Sequence, residues 1–243
     1  MGRKRIPSFA DYMTTERQRI QSRRLDLNTN HAADIVNANA PFELYPNPHP
    51  TSTKLPYAAL LLHGLFDCPF TMREIGTALQ QQGIASKALL LPGHGTVPAD
   101  LLTVSYQDWA TAVHYGVNIL EQEAEKIILI GYSTGAALAI YQALADKRIA
   151  GLVLLAPAIK IKAPLVLVKA LQQGKQWMGK NSEWLFNFPE DDYAKYRSVA
   201  FNAVFQVSAL TEKITTSSAK LDLHAPLLMF TRNRFICITD NHE

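Results

Sequence analysis

The stretch 126-KIILIGYSTGAALAIYQAL-144 reads as three consecutive pieces. Residues 126–130 are a short, continuous apolar run of the kind that forms a strand covered on both faces. GYSTG follows at 131–135, and a turn this sharp leaves no room for side chains two positions either side of Ser133, where Gly131 and Gly135 stand. From Ala136 onward, small and apolar residues open a helix. A strand, GxSxG turn and helix in this order lift the serine hydroxyl above the end of a sheet, over a helix N-terminus whose positive field favours developing negative charge. Ser133 is therefore the candidate nucleophile.

Working outward, short apolar runs recur at 57–62, 88–91, 151–155 and 226–231, separated by helical patterns, which predicts an α/β architecture around a mostly parallel sheet. The clearest helix begins at Ser105, where Asp108 stands three residues on as a reciprocal cap and Trp109, Val113, Val117 and Leu120 form one apolar stripe. The rhythm breaks over 158–220, a stretch without a convincing buried strand. It reads as an insertion over the C-terminal edge of the sheet. Before the first strand, 9–25 is compatible with a helix and 28–56 is rich in Asn, Pro and Thr, so 1–56 reads as an N-terminal arm and 57–243 as one domain.

Two further motifs supply what acyl transfer needs beyond a nucleophile. Backbone donors must face the developing oxyanion, and they usually come from the amide after the nucleophile and from a loop after an earlier strand. Thr134 supplies the first. HGLFDCPF at 63–70 follows the strand 57–62, and His63 and Gly64 set a turn that presents the Leu65 amide, with Phe66 as the fallback. LPGHGT at 91–96 makes a tight loop at the pocket rim. His63 reads as structural, and His94 precedes the nucleophile in the chain, which argues against a role as base.

HGLFD, LPGHG, the Trp109 helix and GYSTG, in this order and spacing, resemble the α/β-hydrolase superfamily. The nearest branch is the group of carboxylesterases, monoacylglycerol lipases and serine aminopeptidases. The resemblance covers 57 to about 231. It implies an α/β-hydrolase fold with a helical lid at 158–220, and a serine hydrolase of carboxylic esters, such as acyl glycerols or lysophospholipids, working through an acyl-enzyme with no metal or organic cofactor. It also implies that Leu165, Val166, Leu167, Val168 and Leu171 line an acyl pocket. A peptidase or thioesterase on the same scaffold is not separable, because substrate choice lives in the lid.

The end of the chain departs from that pattern. In this fold an acid and then a histidine follow the serine, each after a late strand. The loop after 226–231 offers Asn233, Arg234 and Phe235, none of them a carboxylate. The histidine would fall roughly 25–35 residues further on, by ordinary strand, loop and helix lengths. The last strand and helix are thus expected to be missing, with 234–243 an altered, truncated tail. Asp240 and His242 are the only acid and base candidates left, since His224 stands before a strand. The alternative reading is a catalytically inactive remnant or binding module of the same fold.

Composition bounds the rest. With 243 residues, 48% of them apolar, the chain can bury one substantial core. The net charge of +3 arises largely in the first 24 residues, which carry Arg3, Lys4, Arg5, Arg17, Arg19, Arg23 and Arg24. So local an excess argues against nucleic acid as a partner and leaves a membrane surface as the alternative to a solvated arm. Cys68 and Cys237 are too few for a disulfide framework and lack the spacing of a zinc site. No run reaches the roughly 20 apolar residues of a membrane span, and no signal peptide opens the chain, so a cytoplasmic protein acting on a small ester or lipid-like substrate is expected.

Overall fold

The computed structural model describes residues 7–48, 54–159, 165–177, 183–218, 224–231 and 234–238. In chain order the helices and strands are α1 (Phe9–Arg23), α2 (Ala32–Asn39), β1 (Phe42–Leu44), β2 (Leu55–Leu62), α3 (Arg73–Gln81), β3 (Ala85–Leu89), α4 (Tyr106–Glu123), β4 (Ala124–Tyr132), α5 (Thr134–Ala145) and β5 (Ile149–Leu155). They are followed by α6 (Leu165–Trp177), β6 (Trp184–Phe186), β7 (Val199–Ala200), α7 (Phe201–Ser218), β8 (Leu227–Thr231) and β9 (Arg234–Ile238). The main sheet has the order β1-β3-β2-β4-β5-β8-β9. Its five central strands, β3, β2, β4, β5 and β8, run parallel, and the two edge strands run antiparallel to their neighbours. This is the doubly covered, mostly parallel sheet that the apolar runs predicted.

The central strands are apolar on both faces because helices cover both. Ala58, Ala59, Leu60, Leu61 and Leu62 of β2 have no exposed surface, and burying each leucine contributes about 1.5–3 kcal/mol. On one face α4 lays Trp109, Val113, Val117 and Leu120, all fully buried, against the sheet. Its start is fixed by the expected reciprocal cap: the Asp108 amide donates to Ser105 Oγ at 3.2 Å and the Ser105 amide donates to Asp108 Oδ2 at 2.8 Å. Gly116 lets the helix approach closely, since a Cβ there would lie 2.8 Å from Leu60 Cδ1.

Three regions differ from the sequence expectations. Within the stretch read as an arm, Phe42–Leu44 pairs with β3 and becomes an edge of the sheet. Helix α1 is seated on the domain as well: Tyr12 Oη donates to the Leu90 carbonyl at 2.9 Å and accepts from the Leu90 amide at 3.1 Å. Arg19 and Arg23 both pair with Asp100, which neutralises part of the basic excess locally. Within 158–220, α7 is a core helix, with Phe201, Ala203 and Leu210 fully buried. The remainder of the stretch comprises α6 and the β6–β7 ribbon.

The third difference is at the far edge. The position beyond β8, expected to be empty, holds β9, paired antiparallel from Thr231↔Arg234 to Leu227↔Ile238. Only two residues separate the strands in sequence, whereas a parallel strand would need a crossover of a dozen residues or more. Among the described residues no helix is long and apolar enough to cross a membrane.

Candidate active site

Ser133 sits where β4 ends and α5 begins, with φ 53° and ψ −112°. A residue with a side chain rarely adopts such angles, and the strain persists because both ends of the residue are held. The Ser133 amide donates to the Leu155 carbonyl at 2.9 Å, and the Ser133 carbonyl accepts from the amides of Ala137 at 3.2 Å and Ala158 at 3.1 Å. The hydroxyl makes no capping hydrogen bond to the helix that follows. It is left over the positive end of α5 and partly exposed.

The glycines flanking Ser133 are required by contact. A Cβ on Gly131 would lie 2.4 Å from the Gly135 carbonyl oxygen, and one on Gly135 would lie 2.2 Å from the Leu62 carbonyl oxygen. These are backbone atoms, so no rotamer change relieves the overlap. The same approach brings the loop after β2 against the turn at Ser133. Leu62 is paired with Gly131 across the two strands, and Gly64 packs so closely on the Tyr132 ring that a Cβ there would be 3.0 Å away.

That loop carries the two amides weighed as donors, those of Leu65 and Phe66. The Gly64 carbonyl is turned inward, accepting from His63 Nδ1 at 2.8 Å and from the Asp67 amide at 3.3 Å. In a trans peptide the N–H points opposite to the C=O, so the Leu65 amide faces away from His63. It finds no partner among the described residues. The Phe66 amide, the fallback donor, is taken: it donates to His94 Nε2 at 3.3 Å. Thr134 is the first residue of α5, where an amide has no partner within the helix. The structure thus brings Ser133, Thr134 and the loop of Leu65 to one end of the sheet.

Both loop histidines are neutral and structural. His63 accepts the Leu91 amide on Nε2 at 3.0 Å, and burial with neighbouring His94 holds its pKa well below the usual range. His94 gives its Nδ1 proton to the Leu91 and Pro92 carbonyls at 3.2 and 3.1 Å, and burial lowers its pKa to about 4. Gly93 and Gly95 have positive φ, of 83° and 74°, which makes the tight loop around His94 possible.

The acid and base candidates are not brought to this place by the described residues. Asp240 and His242 lie outside them, and β9, which precedes both, runs away from the Ser133 end and finishes opposite Leu227. Asn233 is also outside the described residues, and Arg234 begins β9 rather than closing a loop beside the serine. His224 precedes β8 at the opposite end of the sheet. Leu227 pairs with Leu152 and Phe230 with Leu155, which puts His224 more than roughly 10 Å down the sheet from Ser133. No cluster of three or more His, Cys, Asp or Glu residues suited to a metal occurs among the described residues.

A cavity of about 1030 Å³ is bordered by Tyr132, the residue before Ser133, and by Leu155, Phe70, Arg73, Tyr193 and Lys195; Ser133 itself is not on its border. Tyr193 and Lys195 come from the insertion. Of the apolar positions expected to line an acyl pocket, only Leu171 has a described side chain. It is exposed on α6 and does not border this cavity. Sequence reading missed Tyr193, Lys195 and Tyr196, for which no local motif gives a signal; their neighbours are 100 or more residues away.

Comparison with known proteins places this arrangement. A 108-residue stretch, 44% of the chain, is 32% identical to thermostable monoacylglycerol lipase of Bacillus sp. (strain H-257) and spans 43% of that protein. A structure of the metagenome-derived lipolytic enzymes LipS and LipT aligns with a TM-score of 0.63 at 19% identity, covering 78% of this chain and 74% of that one. A monoacylglycerol lipase of Paleococcus ferrophilus aligns with a TM-score of 0.58 at 19% identity, over 78% and 75%. At such identities the structural likeness establishes the α/β-hydrolase fold. The model of the Hydrolase_4 family, the serine aminopeptidases S33, matches residues 56–229, the span from β2 to β8 that carries the turn at Ser133 and both loops, and the chain belongs to that family.

Proposed function

We propose that the chain is a serine hydrolase of carboxylic esters acting through an acyl-enzyme on Ser133. The observation that carries the reading is the Ser133 backbone, held at φ 53° and ψ −112° at a helix N-terminus with its hydroxyl making no capping hydrogen bond. Strain of this kind costs about 1–3 kcal/mol and is kept where a side chain must be aimed. Ser133 Oγ attacks the ester carbonyl, and the amides of Leu65 and Thr134 receive the oxyanion. The alcohol then leaves, and water releases the acid from the acyl-enzyme. The hydroxyl proton must pass to a base, and none of the described residues beside Ser133 supplies one. The monoacylglycerol lipase likeness of the 108-residue stretch supports acyl glycerols as the substrate class.

A second reading, a binding module that keeps pocket and fold without turnover, is favoured by one observation: among the described residues the histidines in the loops beside Ser133, His63 and His94, have both ring nitrogens engaged. The test is labelling by a fluorophosphonate probe and hydrolysis of p-nitrophenyl butyrate, each with a Ser133→Ala control. Labelling and turnover that vanish in the control are expected. A folded wild-type chain that neither labels nor turns over contradicts the hydrolase and favours the module.

A further inference from the structure

The loop that presents Leu65 is held from outside as well as from within. Phe66 has a positive φ of 65°, a conformation that a phenylalanine does not keep unaided. Its amide donates to His94 Nε2 at 3.3 Å, and its carbonyl accepts the Tyr196 amide at 2.8 Å. The two holding residues also hold each other. The Tyr196 ring stacks on the His94 ring, with planes 8° apart and centroids at 6.2 Å. Tyr196 Oη accepts the Thr96 amide at 2.8 Å and donates to the Gly93 carbonyl at 3.4 Å, on the two sides of His94. Beside this, Lys195 of the insertion lies 3.5 Å from the buried carboxylate of Asp67, the next residue of the loop. Nothing in the hydrolytic steps uses His94 or Tyr196.

We propose that His94 and Tyr196 are positioning residues for the oxyanion donor: they grip the Phe66 main chain at its N–H and its C=O and so keep the Leu65 amide aimed at Ser133. The inference rests on the reading of Leu65 as a donor. It gives the insertion a part in building the site, since Tyr196 comes from 158–220 while His94 and Phe66 belong to loops of the sheet. The grip depends on His94 Nε2 being an acceptor, which its Nδ1 contacts to Leu91 and Pro92 enforce.

The full-length chain and the variants His94→Ala, His94→Gln and Tyr196→Phe are compared in two assays, hydrolysis of p-nitrophenyl butyrate and amide hydrogen exchange at Phe66 with β4 amides as reference. With His94→Ala, kcat is expected to fall roughly 10- to 100-fold with KM little changed, because a misaimed oxyanion donor is felt only in the transition state. Exchange at Phe66 should quicken about tenfold or more, as a protecting hydrogen bond is lost. Glutamine, whose amide oxygen can accept the Phe66 N–H, should restore much of both. Tyr196→Phe, which deletes one oxygen, should give smaller changes in the same directions and serves where His94→Ala does not fold. Unchanged kcat in an active enzyme, or equal losses with glutamine and alanine, overturns the proposal. If the wild-type chain hydrolyses nothing, the hydrolase reading fails separately and exchange decides: faster exchange at Phe66 in the variants supports the grip, and unchanged exchange overturns it.

Discussion

Alanine at Gly135 separates two accounts of the turn at Ser133, because they predict opposite signs. Gly135 is the second residue of α5, and helix propensity by itself favours alanine by about 1 kcal/mol. Contact predicts the reverse. The added Cβ would stand 2.2 Å from the Leu62 carbonyl oxygen and 2.6 Å from that of His63, whereas carbon and oxygen ordinarily meet at roughly 3.3 Å or more. The start of α5 and the end of β2 must therefore separate by about 1 Å, and both are backbone in the centre of the core. Overpacking costs about 1–3 kcal/mol where side chains can yield. Here none can, so the upper end of that range applies and the net loss after the propensity gain is about 2 kcal/mol. At this chain length that lowers the melting temperature by roughly 4–8 °C. Catalysis should suffer more, since a displacement of about 1 Å between a donor and the nucleophile costs on the order of 100-fold. Thermal unfolding and ester hydrolysis of Gly135→Ala read both effects. Gly174→Ala in α6 is the control, because a Cβ there meets nothing within 4 Å and only the propensity gain remains. A Gly135→Ala chain that melts at or above the wild-type temperature with full activity would refute the close-approach account.

Other outcomes follow from the same geometry. Ser133→Gly should abolish probe labelling yet raise the melting temperature by roughly 2–4 °C, as glycine relieves about 1 kcal/mol of backbone strain at a positive φ; an unchanged or lower melting temperature would mean that the Ser133 conformation is unstrained. Acidification should weaken the fold between pH 6.5 and 5 through His94, whose pKa is about 4 in the fold. The unfolded chain binds the proton there and the folded chain does not, so stability is complete above pH 6.5 and falls by about 2 kcal/mol from this residue alone by pH 5. Buried His63 is shifted in the same direction and adds to the loss. Urea midpoints that stay level from pH 7 to pH 5 would contradict the neutral, buried assignment.

What could be read from the sequence was what contiguous residues decide. The turn at Ser133 needs only a strand, five turn residues and a helix, all within 126–144, and the Ser105–Asp108 cap closes over four residues. Strand boundaries fell within a few residues of β2, β4, β5 and β8, since apolar runs mark the buried middle of a strand and not its ends. The edge strand β1 was not legible, because three residues in an Asn- and Pro-rich stretch become a strand only when Ala88, Lys87 and Ser86 are there to pair with them. Helix α7 was hidden for a related reason: its apolar positions say that one face is buried, but only the topology says that the face meets α5 and the main core rather than a ligand.

The site divides along the same line. Ser133 and Thr134 are fixed by a local pattern, and Leu65 by a second one, yet whether Leu65 or Phe66 offers its amide was a choice that the motif left open. Two distant residues bear on that choice. His94 removes the Phe66 amide from contention by accepting it, and Tyr196, from the insertion, fixes the other side of the same residue. A motif states which atoms are near the nucleophile; which of them remain free to act is decided by hydrogen bonds that span from 28 residues to more than 100. The fold-forming histidines also explain why a histidine count misleads here. His63 and His94 lie in the loops beside Ser133 and have both ring nitrogens engaged. Neither has a lone pair left with which to take a proton from the serine.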